Sequence, residues 1–278
     1  MHEQPVVVLN AVGQPIGPTK KIINEYSRFL GTVAWNPEYA PLNYCEWPSL
    51  PTHDKMWMYV QEKYVVHDAG KTWVLTTMNA MWKDWKCRCK RLYYYKYNTY
   101  AERWNKRPPI IPDYQFKLLI KYWDAEEVKN ESEKNKSNRQ VADDFHTMGP
   151  TSYATLHEEL KQQDPNKEEP SNAKVYITSR KRKLGKSYKT SFDCIFDLIC
   201  IHCEVIKKPE HSGRVRMYGK GVTKTSLRKV STNSSYIFPP EFLQNMQSQV
   251  MDQVLEANPQ LQKLLEANLE VNSVLPDL

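Results

Sequence analysis

The chain has 278 residues, 26% of them charged, and a formal net charge of +7. This length suffices for one or two domains with a buried core, and the basic balance favours polyanionic partners. The longest apolar stretch, near residues 192–206, contains four polar or charged side chains, and the first residues lack the basic and apolar regions of a secretory signal. We therefore expect no membrane partner, and reduced thiols at the six cysteines.

Apolar periodicity predicts a mainly α protein. Pro5, Gly13, Pro15 and Gly17 indicate an irregular N-terminus over residues 1–17. The spacing of apolar side chains then predicts helices over about residues 19–35, 52–65, 73–97 and 113–123. The first three form a helical unit that is Myb-like or trihelix-like by analogy, on the spacing of its tryptophans.

The second half of the chain is less regular. Residues 124–144 are almost wholly polar and indicate either a solvated helix or a loop. Thr151 is expected to cap a helix that includes Leu160, and a further helix is predicted near residues 192–206. These features divide the chain into an irregular N-terminus (1–17), a helical basic unit with a predicted DNA-binding role (18–107), a second helical unit (108–206) with a polar linker near 162–173, a flexible basic segment (207–238) and an acidic amphipathic helical tail (239–278).

The first basic cluster lies over residues 83–107, where nine bases face two acids and aromatic side chains are interleaved. A helix with an apolar stripe on one side and bases on the other can pack on a core while it contacts phosphates. The alternative is a solvated helix with a basic face. The predicted DNA-contacting residues are Lys83, Lys86, Arg88, Lys90, Arg91 and Lys96.

The second basic cluster lies over residues 174–229, with fifteen bases against four acids. Its predicted DNA contacts are Arg214, Arg216 and Lys220. The run Arg180-Lys181-Arg182-Lys183 is typical of a nuclear import signal, although an exposed charged turn is the plainer interpretation. The run favours a nuclear location.

The tail over residues 239–278 is acidic and carries apolar side chains at helical spacing, such as Leu243, Met246 and Val250. Such a helix suits pairing with a second copy in a short coiled coil, or packing on the core of the protein itself.

No catalytic, metal or cofactor site is predicted. Two-metal strand transfer needs about three converging carboxylates, and no acid of this chain follows an apolar strand-like run. Cys200-Ile201-His202-Cys203 has a zinc-like spacing but no second ligand pair, and its apolar surroundings are more typical of buried cysteines.

Several blocks together resemble one family. They are Pro15-Ile16-Gly17-Pro18, Trp73-Val74-Leu75, Met81-Trp82-Lys83-Asp84-Trp85-Lys86, Tyr122-Trp123, Asn135-Lys136-Ser137-Asn138-Arg139, His146-Thr147-Met148-Gly149-Pro150-Thr151-Ser152-Tyr153-Ala154 and the glycine element Arg214–Val222. In this order they resemble plant transposases of the Ptta/En/Spm (CACTA-type) group.

This resemblance implies a mobile-element protein, or a domesticated copy, that binds DNA near element ends. It also implies that a separate catalytic protein carries the carboxylate triad. We therefore expect a non-catalytic DNA-binding accessory factor of transposition. The alternatives are a domesticated nuclear regulator, a protein that assembles through its tail helix, and, less favoured, an autonomous metal-dependent transposase.

Overall fold

The computed structural model describes residues 4–140, 148, 151–181, 217–218, 222–223 and 236–237. Helices dominate these residues, which confirms the mainly α prediction. The expected helix near 192–206, the cysteine pair at 200 and 203, most of the basic segment and the whole acidic tail lie outside the described residues. No helix among the residues described is long and apolar enough to cross a membrane.

The N-terminus is a β-hairpin, not the irregular chain that its prolines and glycines predicted. Strand β1 (Val6–Asn10) pairs with the antiparallel strand β2 (Pro15–Gly17). The Asn10 side chain closes the turn by accepting from the amides of Val12 and Gln14, at 3.2 and 2.8 Å. Gly13 has a φ of +78°, and a Cβ there would lie 2.2 Å from the Ala69 carbonyl oxygen, so the turn requires glycine.

Two short strands complete the sheet on β1. Strand β3 (Val65–Val66) runs parallel to β1, and strand β4 (Tyr236–Ile237) runs antiparallel to it. The sheet therefore joins the two ends of the described chain through one central strand.

Three helices follow the hairpin. Helix α1 (Lys20–Trp35) begins where Thr19 accepts a hydrogen bond from the Ile22 amide at 3.2 Å, as predicted. Helix α2 (His53–Lys63) and helix α3 (Lys71–Cys89) confirm the next two predicted helices. A short 3₁₀ turn at Trp47–Ser49 interrupts the proline-rich loop between α1 and α2.

Helix α3 changes its winding before it ends. A π-helical turn (Lys90–Tyr94) continues it, with the Tyr95 amide bonded to the Lys90 carbonyl five residues back at 2.9 Å. The short helix α4 (Tyr100–Asn105) follows, with Thr99 and Glu102 forming a capping box. The sequence prediction missed α4.

Helix α5 (Asp113–Asp124) matches its prediction but belongs to the same core as α1 to α3. Phe116, Leu119, Ile120 and Trp123 are buried in one cluster with apolar residues from β1 onward. The boundary predicted near residue 107 therefore does not divide the core.

The remaining described helices are α6 (Glu126–Gln140), α7 (Tyr153–Gln163) and α8 (Asn172–Arg180). Helix α6 has no buried residue, so the polar stretch is a solvated helix. The cap of α7 is Ser152 and not Thr151, because the Ser152 hydroxyl accepts from the Thr155 amide at 3.1 Å. Leu156 and Leu160 pack with Val175 and Tyr176 in a second, smaller cluster.

Candidate nucleic-acid interface

Helix α3 separates its side chains into a buried arc and an exposed arc. At about 100° per residue, the buried Val74, Met78, Trp82 and Cys89 fall within about 80° of one another around the helix axis. Lys83, Arg88 and, in the π-helical turn, Arg91 are exposed and lie outside this buried arc, spread over about 140° of the helix circumference. We call Lys83, Arg88, Arg91 and the following Lys96 the outer bases.

The outer bases are free of ion pairs with any residue that the structure describes. Asp84 is the sole acid over residues 71–94 of the sequence and lies on the same exposed side. Four unpaired cations against one acid leave this side of the helix positive, which is the electrostatic requirement for contact with a phosphate backbone.

Lys86 is placed differently from the prediction that it contacts DNA. The residue is only 9% exposed, and its ammonium donates to the Tyr44 carbonyl oxygen at 2.6 Å. The same nitrogen lies 4.4 Å from the centroid of the Trp82 ring and 5.2 Å from that of Tyr122. Burial lowers the pKa of Lys86 to about 8, because an ammonium away from water is less stable than the neutral amine.

Lys90 is also turned inward. It is 8% exposed, and its ammonium donates to the Ser132 hydroxyl of α6 at 2.8 Å. That hydroxyl itself donates to the Val128 carbonyl at 2.8 Å, so the serine holds the lysine in place. Lys90 thus ties the π-helical turn to α6, and neither it nor Lys86 is available to a phosphate in this structure.

The sequence contained a signal for the burial of Lys86. Lys86 follows Trp82 by four residues and Met78 by eight, so it continues the apolar stripe of α3. Lys90 has no such signal, because it lies seven residues after the exposed Lys83, on nearly the same face of a regular helix. Counting bases without assigning each to a helical face placed Lys86 among the DNA contacts.

The end of the basic segment is clamped to the core through Tyr94. Its hydroxyl donates to the Asp124 carboxylate at 2.5 Å, and burial, together with this bond, raises the pKa of Tyr94 to about 12. The Arg103 guanidinium lies 3.9 Å from the centroid of the Tyr94 ring, and its Nε donates to the carbonyls of Tyr94 and Tyr97. The clamp fixes α4 against the π-helical turn.

The second basic cluster is described only at its edges. Arg180 ends α8 and lies over the Tyr176 ring at 3.6 Å, and Lys181 follows as an exposed residue. Arg182, Lys183, Arg214, Arg216 and Lys220 lie outside the described residues. The import and DNA-contact predictions for this cluster therefore stay predictions.

Met217 and Tyr218, inside the glycine element, contact both halves of the described chain. The side-chain amide of Gln14 donates to the Tyr218 carbonyl oxygen at 2.7 Å. The His157 Nε2 lies 3.0 Å from the Met217 carbonyl oxygen. Burial lowers the pKa of His157 below its ordinary value. The element therefore links the hairpin to α7.

Groups that could carry metal chemistry are absent from the part of the chain that is described: no three His, Cys, Asp or Glu side chains come close enough to hold an ion. Of the three cysteines described there, Cys89 is buried and its pKa is raised to about 12 by burial, whereas Cys45 and Cys87 are exposed.

Comparison with known proteins identifies one segment. Residues 112–199 match the family model of plant transposases (Ptta/En/Spm family), which covers about a third of the chain from α5 onward. The resemblance proposed from the sequence is thereby confirmed for this segment. No curated protein and no solved structure matches the chain at a significant level.

Proposed function

Starting from the match to plant transposases, we propose that the protein is a transposon-derived DNA-binding protein and a non-catalytic accessory factor that recognises element DNA. The observation that carries this proposal is the set of outer bases. They lie just before a transposase domain in the chain, on a helix whose other side is built into the core.

The outer bases suit duplex DNA for a physical reason. The helix that carries Lys83, Arg88 and Arg91 is packed on the core, so the backbone beneath these three exposed cations is already ordered when they meet a phosphate backbone. Lys83 to Arg91 span about 12 Å at about 1.5 Å per residue, a length of about three to four phosphates of one strand at about 3.4 Å each. Contact with phosphates gives affinity without sequence preference, and Arg214, Arg216 and Lys220 are proposed to add to it.

The proposal extends to location and partners. The basic run at residues 180–183 supports import into the nucleus. The family resemblance supports a separate catalytic transposase as a partner, and the apolar spacing of the acidic tail supports pairing with a second copy.

A mobility-shift titration of the full chain on duplex DNA over a range of salt concentrations tests the proposal. We expect binding at low salt that weakens as salt rises, because each phosphate contact releases counterions. Lys83→Gln/Arg88→Gln should weaken binding, whereas the control Lys117→Gln/Lys121→Gln, which removes two exposed bases of α5, should change it much less. A wild-type chain that leaves duplex DNA unbound at low salt would remove the proposal.

A further inference from the structure

Two exposed tyrosines flank the end of the basic segment and have no part in the proposed duplex contact. Tyr95 follows the π-helical turn and Tyr100 begins α4, and each is 49% exposed. An exposed aromatic ring offers a flat face on which a ligand ring can stack. We call these two residues the tyrosine pair.

The Tyr100 ring is supported from behind. It lies parallel to the Trp104 ring, with centroids 6.3 Å apart and an angle of 8° between their planes, and Trp104 packs against the main core. The capping box fixes the start of α4, because the Thr99 hydroxyl accepts from the Glu102 amide at 3.2 Å. The exposed ring is thus held in one orientation.

The Tyr95 ring is supported in a similar way. It meets the buried Tyr94 ring edge-on at 5.4 Å, and the Asp124 carboxylate fixes Tyr94. The ammonium groups of Lys90 and Lys136 lie 5.3 and 5.2 Å from the centroid of the Tyr95 ring. Lys90 is bonded to Ser132 and Lys136 is paired with Glu133, so these two ammonium groups hold the ring and leave Arg91 and Lys96 as the free cations nearby.

The pair is displayed at a fixed and short separation. Five residues of chain reach at most about 18 Å, and the Arg103 bonds to the carbonyls of Tyr94 and Tyr97 hold the connection between the two rings. Lys96 lies between the tyrosines in sequence and Arg91 lies four residues before Tyr95, both exposed. The acid of this loop, Glu102, already accepts bonds from Asn98 and Thr99.

We propose that the tyrosine pair, with Arg91 and Lys96, binds unpaired nucleotides of a nucleic-acid strand. Held aromatic faces beside free cations are the combination that single strands require, since bases stack on the rings while the cations meet the phosphates. Bases inside a duplex are already stacked and cannot offer their faces. This inference rests on the proposed function and names its substrate class: a partly unpaired strand next to the duplex that the outer bases contact.

Fluorescence anisotropy of the full chain with labelled oligonucleotides of about 12 residues tests the inference. The probes are oligo-dT, oligo-U and a duplex of the same length. We expect Tyr95→Ala/Tyr100→Ala to weaken binding of the single strand by about tenfold, and binding of the duplex by less than about twofold. Binding of either single strand supports the inference, and the two probes show which sugar is preferred.

Three further variants make the result specific. Tyr100→Phe keeps the ring and should bind as the wild type does, and Tyr100→Leu keeps the bulk and should weaken single-strand binding. Tyr114→Ala removes a tyrosine of α5 that is 60% exposed, so it should leave both affinities unchanged.

Two results overturn the inference: a wild-type chain that binds duplex but no single strand, or equal losses of both affinities in Tyr95→Ala/Tyr100→Ala. In the first case the proposed duplex contact still stands. A wild-type chain that does not bind duplex removes the proposed function instead. The failure of the inference and the failure of the proposed function are therefore distinguishable.

Discussion

The bases of α3 and its π-helical turn have two kinds of surroundings. The outer bases Lys83, Arg88 and Arg91 face solvent, whereas the inner bases Lys86 and Lys90 donate to a carbonyl and a hydroxyl beneath aromatic rings. A base of either set adds one positive charge to the sequence. The comparison shows that the bases of a sequence predict a surface for polyanions only after the exposed bases have been separated from the buried ones.

The first way to test this comparison is to damage the inner side. Trp82→Ala should lower the free energy of unfolding by about 3–5 kcal/mol, because the ring is buried and lies beneath the Lys86 ammonium. Chemical denaturation measures the change. The control Leu92→Ala, at a residue 37% exposed in the same segment, should cost much less; similar losses at both residues would contradict the assignment of sides.

The second test uses the titration of Lys86. Its folded pKa of about 8 lies below that of the unfolded chain, so the unfolded state binds more protons between these two values. Lys86 should therefore add to stability as pH rises from about 8 to about 10, by on the order of 1–3 kcal/mol.

Lys86→Met removes the titrating group and keeps the stem. The difference in unfolding free energy between wild type and variant, measured against pH, isolates Lys86 from tyrosines that titrate nearby. A difference that stays constant from pH 7 to pH 10 would show that the ammonium is exposed.

The third test applies the same argument to His157. Burial lowers its folded pKa, so the unfolded chain binds the proton first as pH falls below about 6.5. Stability from this group should be present above that pH and decline below it. His157→Gln should flatten the acid side of the stability profile, and an unchanged profile would argue against burial of the ring.

The smallest effect on stability is expected on the outer side. Lys83→Gln and Arg88→Gln should each change the free energy of unfolding by less than about 0.5 kcal/mol, because the structure gives neither side chain an ion pair within its described part. Thermal unfolding checks this. A larger loss from either change would mean that the outer bases have a structural role.

Strong local signals made much of the fold predictable from the sequence. Thr19 and the periodic apolar residues after it defined α1. Pro112 and the periodic apolar residues after Asp113 defined α5. The hairpin was missed because its strands are only 5 and 3 residues long and contain or adjoin prolines and glycines that favour irregular chain, and β1 also pairs with residues 65–66 and 236–237, which are distant in sequence. Ser152 and Thr151 are adjacent hydroxyl residues, and only the backbone geometry shows which one caps α7.

The candidate site was predictable to the level of a segment. The density of bases indicated residues 83–107, but the burial of Lys90 depends on Ser132 of α6, which the sequence does not place beside it. The support of Tyr100 by Trp104 was readable in principle, since the two are four residues apart, yet only a recognised α4 gives that spacing a meaning.

The central claim is that the outer bases, and not the inner ones, meet DNA. The most direct measurement is the slope of log Kd against log salt for duplex binding by wild type, by Lys83→Gln/Arg88→Gln/Arg91→Gln/Lys96→Gln and by Lys86→Met. The account predicts that the slope falls by about 0.9 for each outer base that contacts a phosphate, and stays unchanged for Lys86→Met. Equal slopes in the wild type and the four-base variant, or a lower slope in Lys86→Met, would contradict it.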